Sequence, residues 1–174
     1  MLEHNVTEYS QIGNVIICGD LNARTGTEME CTDFDSYVPT SFDHVDYHLP
    51  FRSSHDSFVN ERGRYLIDFC ISHDLHFLNG RTVGDLNGKF TCFQYNGNSV
   101  VDYCIISNSF SNNILYFMIH DHVPILSDHA KLTCQIKANF YEFGKENHTL
   151  DSDILIPSSY IYGTRNLLYI FKPR

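Results

Sequence analysis

Three short polar clusters in this sequence carry side chains suited to phosphate chemistry. Asp20 and Asn22 lie two positions apart at the end of an apolar run, Val15-Ile16-Ile17-Cys18. If the chain stays extended there, both side chains project to the same side. An aspartate in that place can activate water or protonate a leaving oxygen, and a neutral amide can donate to a phosphate oxygen without adding repulsion. The structural alternative is a plain turn, because Gly-Asp and Leu-Asn pairs often close strands. Asp102 sits among Val100, Val101, Tyr103, Cys104 and Ile105. A carboxylate between apolar neighbours must be paired, hydrogen-bonded or neutral, so a structural salt bridge and a catalytic partner both remain open. Ser127-Asp128-His129 places a hard oxygen ligand beside the side chain that titrates near neutral pH. Such a dipeptide is also common as surface decoration.

Two other histidine groups are weaker. His44-Val45-Asp46-Tyr47-His48 has the spacing of a helical zinc pair, but it lacks the glutamate after the first histidine and has no helical pattern around it. It reads as a solvated loop. His120-Asp121-His122 has no third ligand at suitable spacing and is left unassigned.

The elements that must position these clusters follow from apolar periodicity. Val15 to Cys18, stopped by Gly19-Asp20, reads as a strand buried on both faces. Asn60 and Glu61 can start a helix with Leu66, Phe69, Cys70 and His73 on one face. Leu75 to Leu78 reads as a short strand closed by Asn79-Gly80, which completes a strand, helix, strand order typical of a mixed α/β layer. Asn96-Gly97 between Phe90–Tyr95 and Ser99–Ile106 predicts a hairpin with a type I′ turn. Ile114 to Ile119 is a continuous apolar run. Leu132, Cys134 and Ile136 alternate with polar residues, as in a strand with one wet face. Asp33 to Ser57 has no period and is expected to be a functional loop or a disordered insert. Beyond Ala138 order fades, and Leu167 to Phe171 has no evident partner.

Composition bounds the function. The 174 residues, 43% apolar and 14% aromatic, suit one globular domain. No apolar stretch is long enough to span a membrane, and the opening residues have no signal character, so an unexported, intracellular protein is expected, nuclear or cytoplasmic. The six cysteines show no metal-type spacing and sit mostly among Val, Ile and Phe, as reduced core residues do. The sequons at Asn5 and Asn147 carry no weight without export. A formal charge of −9 opposes binding to a polyanion unless carboxylates hold a divalent cation that inverts the local field.

Read in order, Gly19-Asp20-Leu21-Asn22, Ser99-Val100-Val101-Asp102-Tyr103 and Ser127-Asp128-His129 resemble the last three motifs of the endonuclease/exonuclease/phosphatase superfamily. Asn60-Glu61-Arg62-Gly63-Arg64-Tyr65-Leu66, Leu78-Asn79-Gly80-Arg81 and Gly88-Lys89-Phe90-Thr91 further resemble the endonuclease domains of non-LTR retrotransposons. The resemblance covers residues 10–137 and leaves 138–174 as an uninterpreted tail. It implies an α/β fold, part of a four-layer sandwich with two mixed β-sheets, and a phosphodiester hydrolase dependent on Mg²⁺ or Mn²⁺. It implies that Asp20 activates water or assists the leaving group, and that Asn22 holds a phosphate oxygen. Asp102 would orient His129, His129 would contact the scissile phosphate, and Asp128 would bind the metal. DNA is the implied substrate. The family domain carries further strands and an acidic metal ligand ahead of the Gly-Asp-Leu-Asn motif. The chain is therefore expected to correspond to the C-terminal half of such a domain, within a parent that adds the N-terminal half or a reverse transcriptase region. A phosphatase of the same superfamily, which an acidic surface suits, and a non-catalytic relic serving as a binding module are the competing readings.

Overall fold

The computed structural model describes residues 2–30, 51–137 and 167–171 of the chain. His44, His48, Cys31, the second sequon and most of the expected loop and tail lie outside these residues.

Strand β1 (Asn14–Asp20) is the axis of the fold. It pairs antiparallel with β5 (Asp102–Ser107), and β5 pairs antiparallel with β2 (Leu75–Phe77). On its other edge β1 pairs antiparallel with β8 (Leu167–Phe171), the run that had no evident partner in the sequence. The sheet order is β2-β5-β1-β8. Every strand pair among the described residues is antiparallel, which departs from the mixed sheets expected.

Alternation along β1 and β5 divides their side chains between two cores, as the pleat dictates. Val15, Ile17, Tyr103 and Ile105 face two helices, α1 (Leu2–Ser10) through Val6 and α2 (Glu61–Ser72) through Leu66, Ile67 and Cys70. Ile16, Cys104 and Ile106 face the opposite way, onto Phe117 and Ile119 of β6 (Ile114–Ile119) and onto Leu132, Cys134 and Ile136 of β7 (Leu132–Ile136). The described residues therefore form helices, sheet and a β6–β7 ribbon in successive layers. Each fully buried Ile or Phe here contributes about 1.5–3 kcal/mol relative to exposure.

Local chemistry explains the helix and its neighbours. The Asn60 side chain caps α2 by accepting from Gly63 N at 2.7 Å, and it also accepts from Arg24 N at 3.0 Å. A Cβ at Gly63 would collide with the Arg24 carbonyl, so this helix start can lie against the loop after β1 only with glycine there. Tyr103, buried in the helix-side core, donates to the Ala23 and Val100 carbonyls at 2.9 and 2.8 Å and so ties that loop to β5. Helix α1 was not anticipated from the sequence.

The expected hairpin forms with a different turn. β3 (Cys92–Gln94) pairs with β4 (Gly97–Ser99), and Gln94 lies opposite Gly97, so Tyr95-Asn96 make the turn. Neither has a positive φ, which excludes the type I′ turn predicted at Asn96-Gly97; Gly97, at φ 134°, instead opens β4. The chain then leaves the hairpin at Val100-Val101 and enters the larger sheet as β5, so Ser99–Ile106 is not one strand.

Candidate functional site

The ends of β1 and β5 bring two carboxylates face to face: Asp20 and Asp102 are direct partners in the antiparallel register. Like charges in that position repel. His129 compensates, with its Nδ1 2.8 Å from Asp102 Oδ2. The bond requires Nδ1 to carry the proton, which leaves Nε2 as the ring nitrogen free for other work.

Backbone pairing delivers His129 to this point. His129 bridges Cys92 of β3, Phe93 N donates to the Asp128 carbonyl at 2.7 Å, and Ala130 N donates to the Thr91 carbonyl at 2.7 Å. Ser127 Oγ accepts from His129 N at 3.0 Å and tightens the approach. The segment thus adds to the edge of β3 just before β7 begins.

Two side chains hold the Asp102 backbone, and a third holds Val100 just before it. Thr91, fully buried, accepts through Oγ1 from Val101 N and Asp102 N, both at 3.0 Å. Asn79 donates to the Asp102 carbonyl at 3.1 Å and accepts from Cys104 N at 3.0 Å. Asp56 accepts from Val100 N at 3.0 Å while binding Arg24 through two bonds of 2.7 and 2.6 Å. Its own pKa is lowered: burial opposes ionisation but is outweighed by the bonds from Arg24, Val100 and Phe58. Thr91 and Asn79 explain physically why the sequence runs ending in Phe90-Thr91 and Asn79-Gly80-Arg81 accompany the Asp102 motif. Sequence reasoning gave neither residue a role, and nothing beyond those motifs pointed to them.

The electrostatics follow from burial and pairing. Burial pushes the Asp102 carboxyl above its ordinary pKa, against the opposing bonds from His129 and Thr91. For His129 burial acts to lower the pKa but is outweighed by the Asp102 bond and then by the charges of Asp102, Asp128 and Asp20, so the imidazole is raised above its ordinary 6.5. The causes differ: burial is the larger influence at Asp102, whereas the bond from Asp102 and the surrounding carboxylate charges outweigh burial at His129.

Asp20 and Asn22 depart from the expected geometry. The strand ends at Asp20, and Asn22 turns into the left-handed region at φ 51°, a conformation Asn tolerates. Asp20 Oδ1 accepts from Asn22 N at 2.8 Å, so the carboxylate is anchored by the turn and the two side chains do not project in parallel from an extended strand. Asn22 is exposed and Asp20 half-buried. The catalytic and turn readings coincide here, since the turn is what fixes the carboxylate opposite Asp102.

Asp128 is exposed beside His129. Among the described residues, the donor atoms close enough to share one ion are those of Cys92, Asp128 and His129, within 4.8 Å of one another. Mg²⁺ takes oxygen ligands, and Asp128 is the oxygen donor of the three. The Cys92 thiol is pushed up by burial, then by Asp128 and Asp102, and stays protonated. Of the three, Asp128 alone offers the oxygen donor that Mg²⁺ or Mn²⁺ would take.

The neighbouring histidines have structural roles. His120 Nε2 lies 2.8 Å from Thr133 Oγ1. His122 Nε2 donates to the Ser127 carbonyl at 2.8 Å, and its ring stacks on Phe93 with centroids 4.2 Å apart. Together they brace the loop that leads into Ser127-Asp128-His129.

A layered α/β domain carrying a strand-end Asp–His pair opposite a second aspartate, with a further aspartate beside the histidine, is of the endonuclease/exonuclease/phosphatase type. The chain matches the family described as endonuclease-reverse transcriptase over residues 2–133, and it belongs to that family. No curated protein and no solved structure matches it.

Proposed function

We propose that this chain acts as a Mg²⁺- or Mn²⁺-dependent phosphodiester hydrolase of the retrotransposon endonuclease kind, with DNA as substrate. The observation that carries the reading is the 2.8 Å Asp102–His129 pair facing Asp20 across adjacent strands. Asp102 fixes the ring and favours its cationic form, so that His129 Nε2–H donates to a non-bridging oxygen of the scissile phosphate. Asp20 takes the proton of the attacking water or returns one to the leaving oxygen. The Asn22 amide donates to a second phosphate oxygen without adding charge. Asp128 would hold the divalent ion, whose charge polarises the phosphate and offsets the acidic surface.

In this reading the described layers form part of a four-layer sandwich, and residues 10–137 correspond to the C-terminal half of the family's domain. A longer parent would supply an N-terminal half that carries further metal ligands, or a reverse transcriptase region. Work on DNA would place the protein in the nucleus or cytoplasm. Among the described residues no helix is long and apolar enough to cross a membrane.

A second reading, a non-catalytic binding module, is favoured by the single oxygen donor in the Cys92, Asp128, His129 group. Incubation with plasmid DNA and, separately, with inositol phosphates in Mg²⁺ distinguishes the readings. Metal-dependent nicking of DNA supports the endonuclease. Release of inorganic phosphate alone moves the assignment to a phosphatase, and turnover of neither substrate by the folded protein favours the binding module.

A further inference from the structure

Three thiols outside the proposed chemistry meet between the central sheet and the ribbon. Cys18 of β1 and Cys104 of β5 are direct antiparallel partners, with their sulfurs 3.1 Å apart. The Cys104 backbone turns away from β1: its N–H donates to Asn79 Oδ1 at 3.0 Å and its carbonyl accepts from Leu78 N at 2.8 Å. Cys18 and Cys104 are therefore a non-hydrogen-bonded pair, the closer of the two kinds, with Cα atoms about 4.5 Å apart. That spacing lies within the range of about 4.4–6.8 Å that a disulfide spans. Cys134 of β7 packs against the same core and also interacts with the Cys104 thiol.

We propose that Cys18 and Cys104 form a reversible cross-strand disulfide when the protein meets a peroxide. Cys18 is the entry point, because it is only partly buried while Cys104 is 1% exposed. Hydrogen bonds from Cys134 and Cys18, together with burial, also raise the Cys104 thiol well above its ordinary pKa, so Cys104 is the poorer first nucleophile. The Cys18 thiol gives up its proton, its sulfur attacks one oxygen of hydrogen peroxide, the O–O bond breaks, and the departing hydroxide takes up that proton and leaves as water, giving Cys18 sulfenic acid. Cys104 sulfur then attacks that sulfur, the S–O bond breaks, and its proton leaves with the hydroxyl as a second water. Two thiols are oxidised by two electrons and one peroxide is reduced.

The bond would lie one pleat from the Asp20–Asp102 pair, on the same face of the same two strands. It would clamp β1 to β5 where two carboxylates repel, and it would close a loop between residues 86 positions apart. Oxidation therefore stabilises the frame of the site without using any of its residues.

The test is to treat the full chain with hydrogen peroxide under native conditions, count free thiols, and map non-reduced peptides by mass spectrometry. The expected result is loss of two of the six thiols, a Cys18–Cys104 linked peptide, a higher melting temperature, and reversal of all three by dithiothreitol. Cys134→Ser should retain the link, and Cys18→Ser should abolish it. Linkage of Cys104 to Cys134, or six titratable thiols after treatment of the folded wild type, overturns the proposal. Because mapping the wild type is sufficient, a variant that fails to fold does not blunt the test.

Discussion

Replacing Asp102 by Asn keeps the shape of the side chain and removes its charge. In the folded protein His129 keeps at most a neutral amide acceptor in place of the carboxylate at 2.8 Å that does most to raise its pKa, while the burial that lowers it stays. A hydrogen bond to a charged group contributes about 1.5–3 kcal/mol. At 1.36 kcal/mol per tenfold, loss of that amount from the transition state slows phosphodiester cleavage about 10- to 150-fold. The direct assay is an NMR pH titration of the His129 ring in both proteins, with plasmid nicking measured in parallel. The wild-type ring should titrate above 6.5 and the Asp102→Asn ring clearly lower. Stability carries the same sign. A raised folded pKa means that the contribution of His129 is complete below 6.5 and is lost as pH rises through the folded value. The stability advantage of wild type over Asp102→Asn should therefore shrink as pH rises through that window. Taking the difference cancels His76 and His120, which burial lowers and which act with the opposite slope. An Asp102→Asn ring titrating at or above the wild-type value would refute the pairing argument.

Other perturbations probe other parts of the account. Asp20→Asn should abolish nicking yet leave the melting temperature unchanged or higher, because it removes a like-charge pair across β1 and β5 that costs about 0.2–1 kcal/mol. Arg81→Met removes the guanidinium 3.0 Å from the buried Glu30 carboxylate and leaves it the Phe77 amide and the His76 ring; urea denaturation should show a loss of about 3 kcal/mol, the lower end of the range for breaking a buried ion pair. Gly63→Ala drives a Cβ into the Arg24 carbonyl and should cost about 1–3 kcal/mol in the same assay, with the hydrogen-exchange protection of α2 reduced.

Much of the frame was legible because its burial is written in local pattern. Val15–Cys18 reads as a strand since both of its faces meet a core, and Asn60 marks the start of α2 because its side chain has backbone amides to cap. Features that depend on distant or subtle contacts were not legible. Helix α1 buries Val6 and packs Tyr9 on a short, mostly polar segment, with too few apolar positions to define a period. The partner of Leu167–Phe171 is β1, far away in sequence. Asn96-Gly97 advertises a type I′ turn, but the register set by Cys92 opposite Ser99 moves the turn back by one residue. At the site, residue types suggested Asp102 and His129 separately. Only the motif order linked them, and the bridge from Cys92 to His129 that joins them in space has no sequence signal of its own. The parallel projection expected of Asp20 and Asn22 failed because Asn22 leaves extended geometry to let Asp20 accept its amide.

The central claim is that Asp20 and the Asp102–His129 pair cleave phosphodiesters with a divalent ion. The most direct measurement is nicking of supercoiled plasmid by the purified chain in Mg²⁺, beside a chelator control and an Asp20→Ala/His129→Ala double variant prepared identically. The account predicts nicked circles that require the metal and vanish in the variant. Nicking that persists in the folded variant, or intact plasmid with folded wild type, would contradict it.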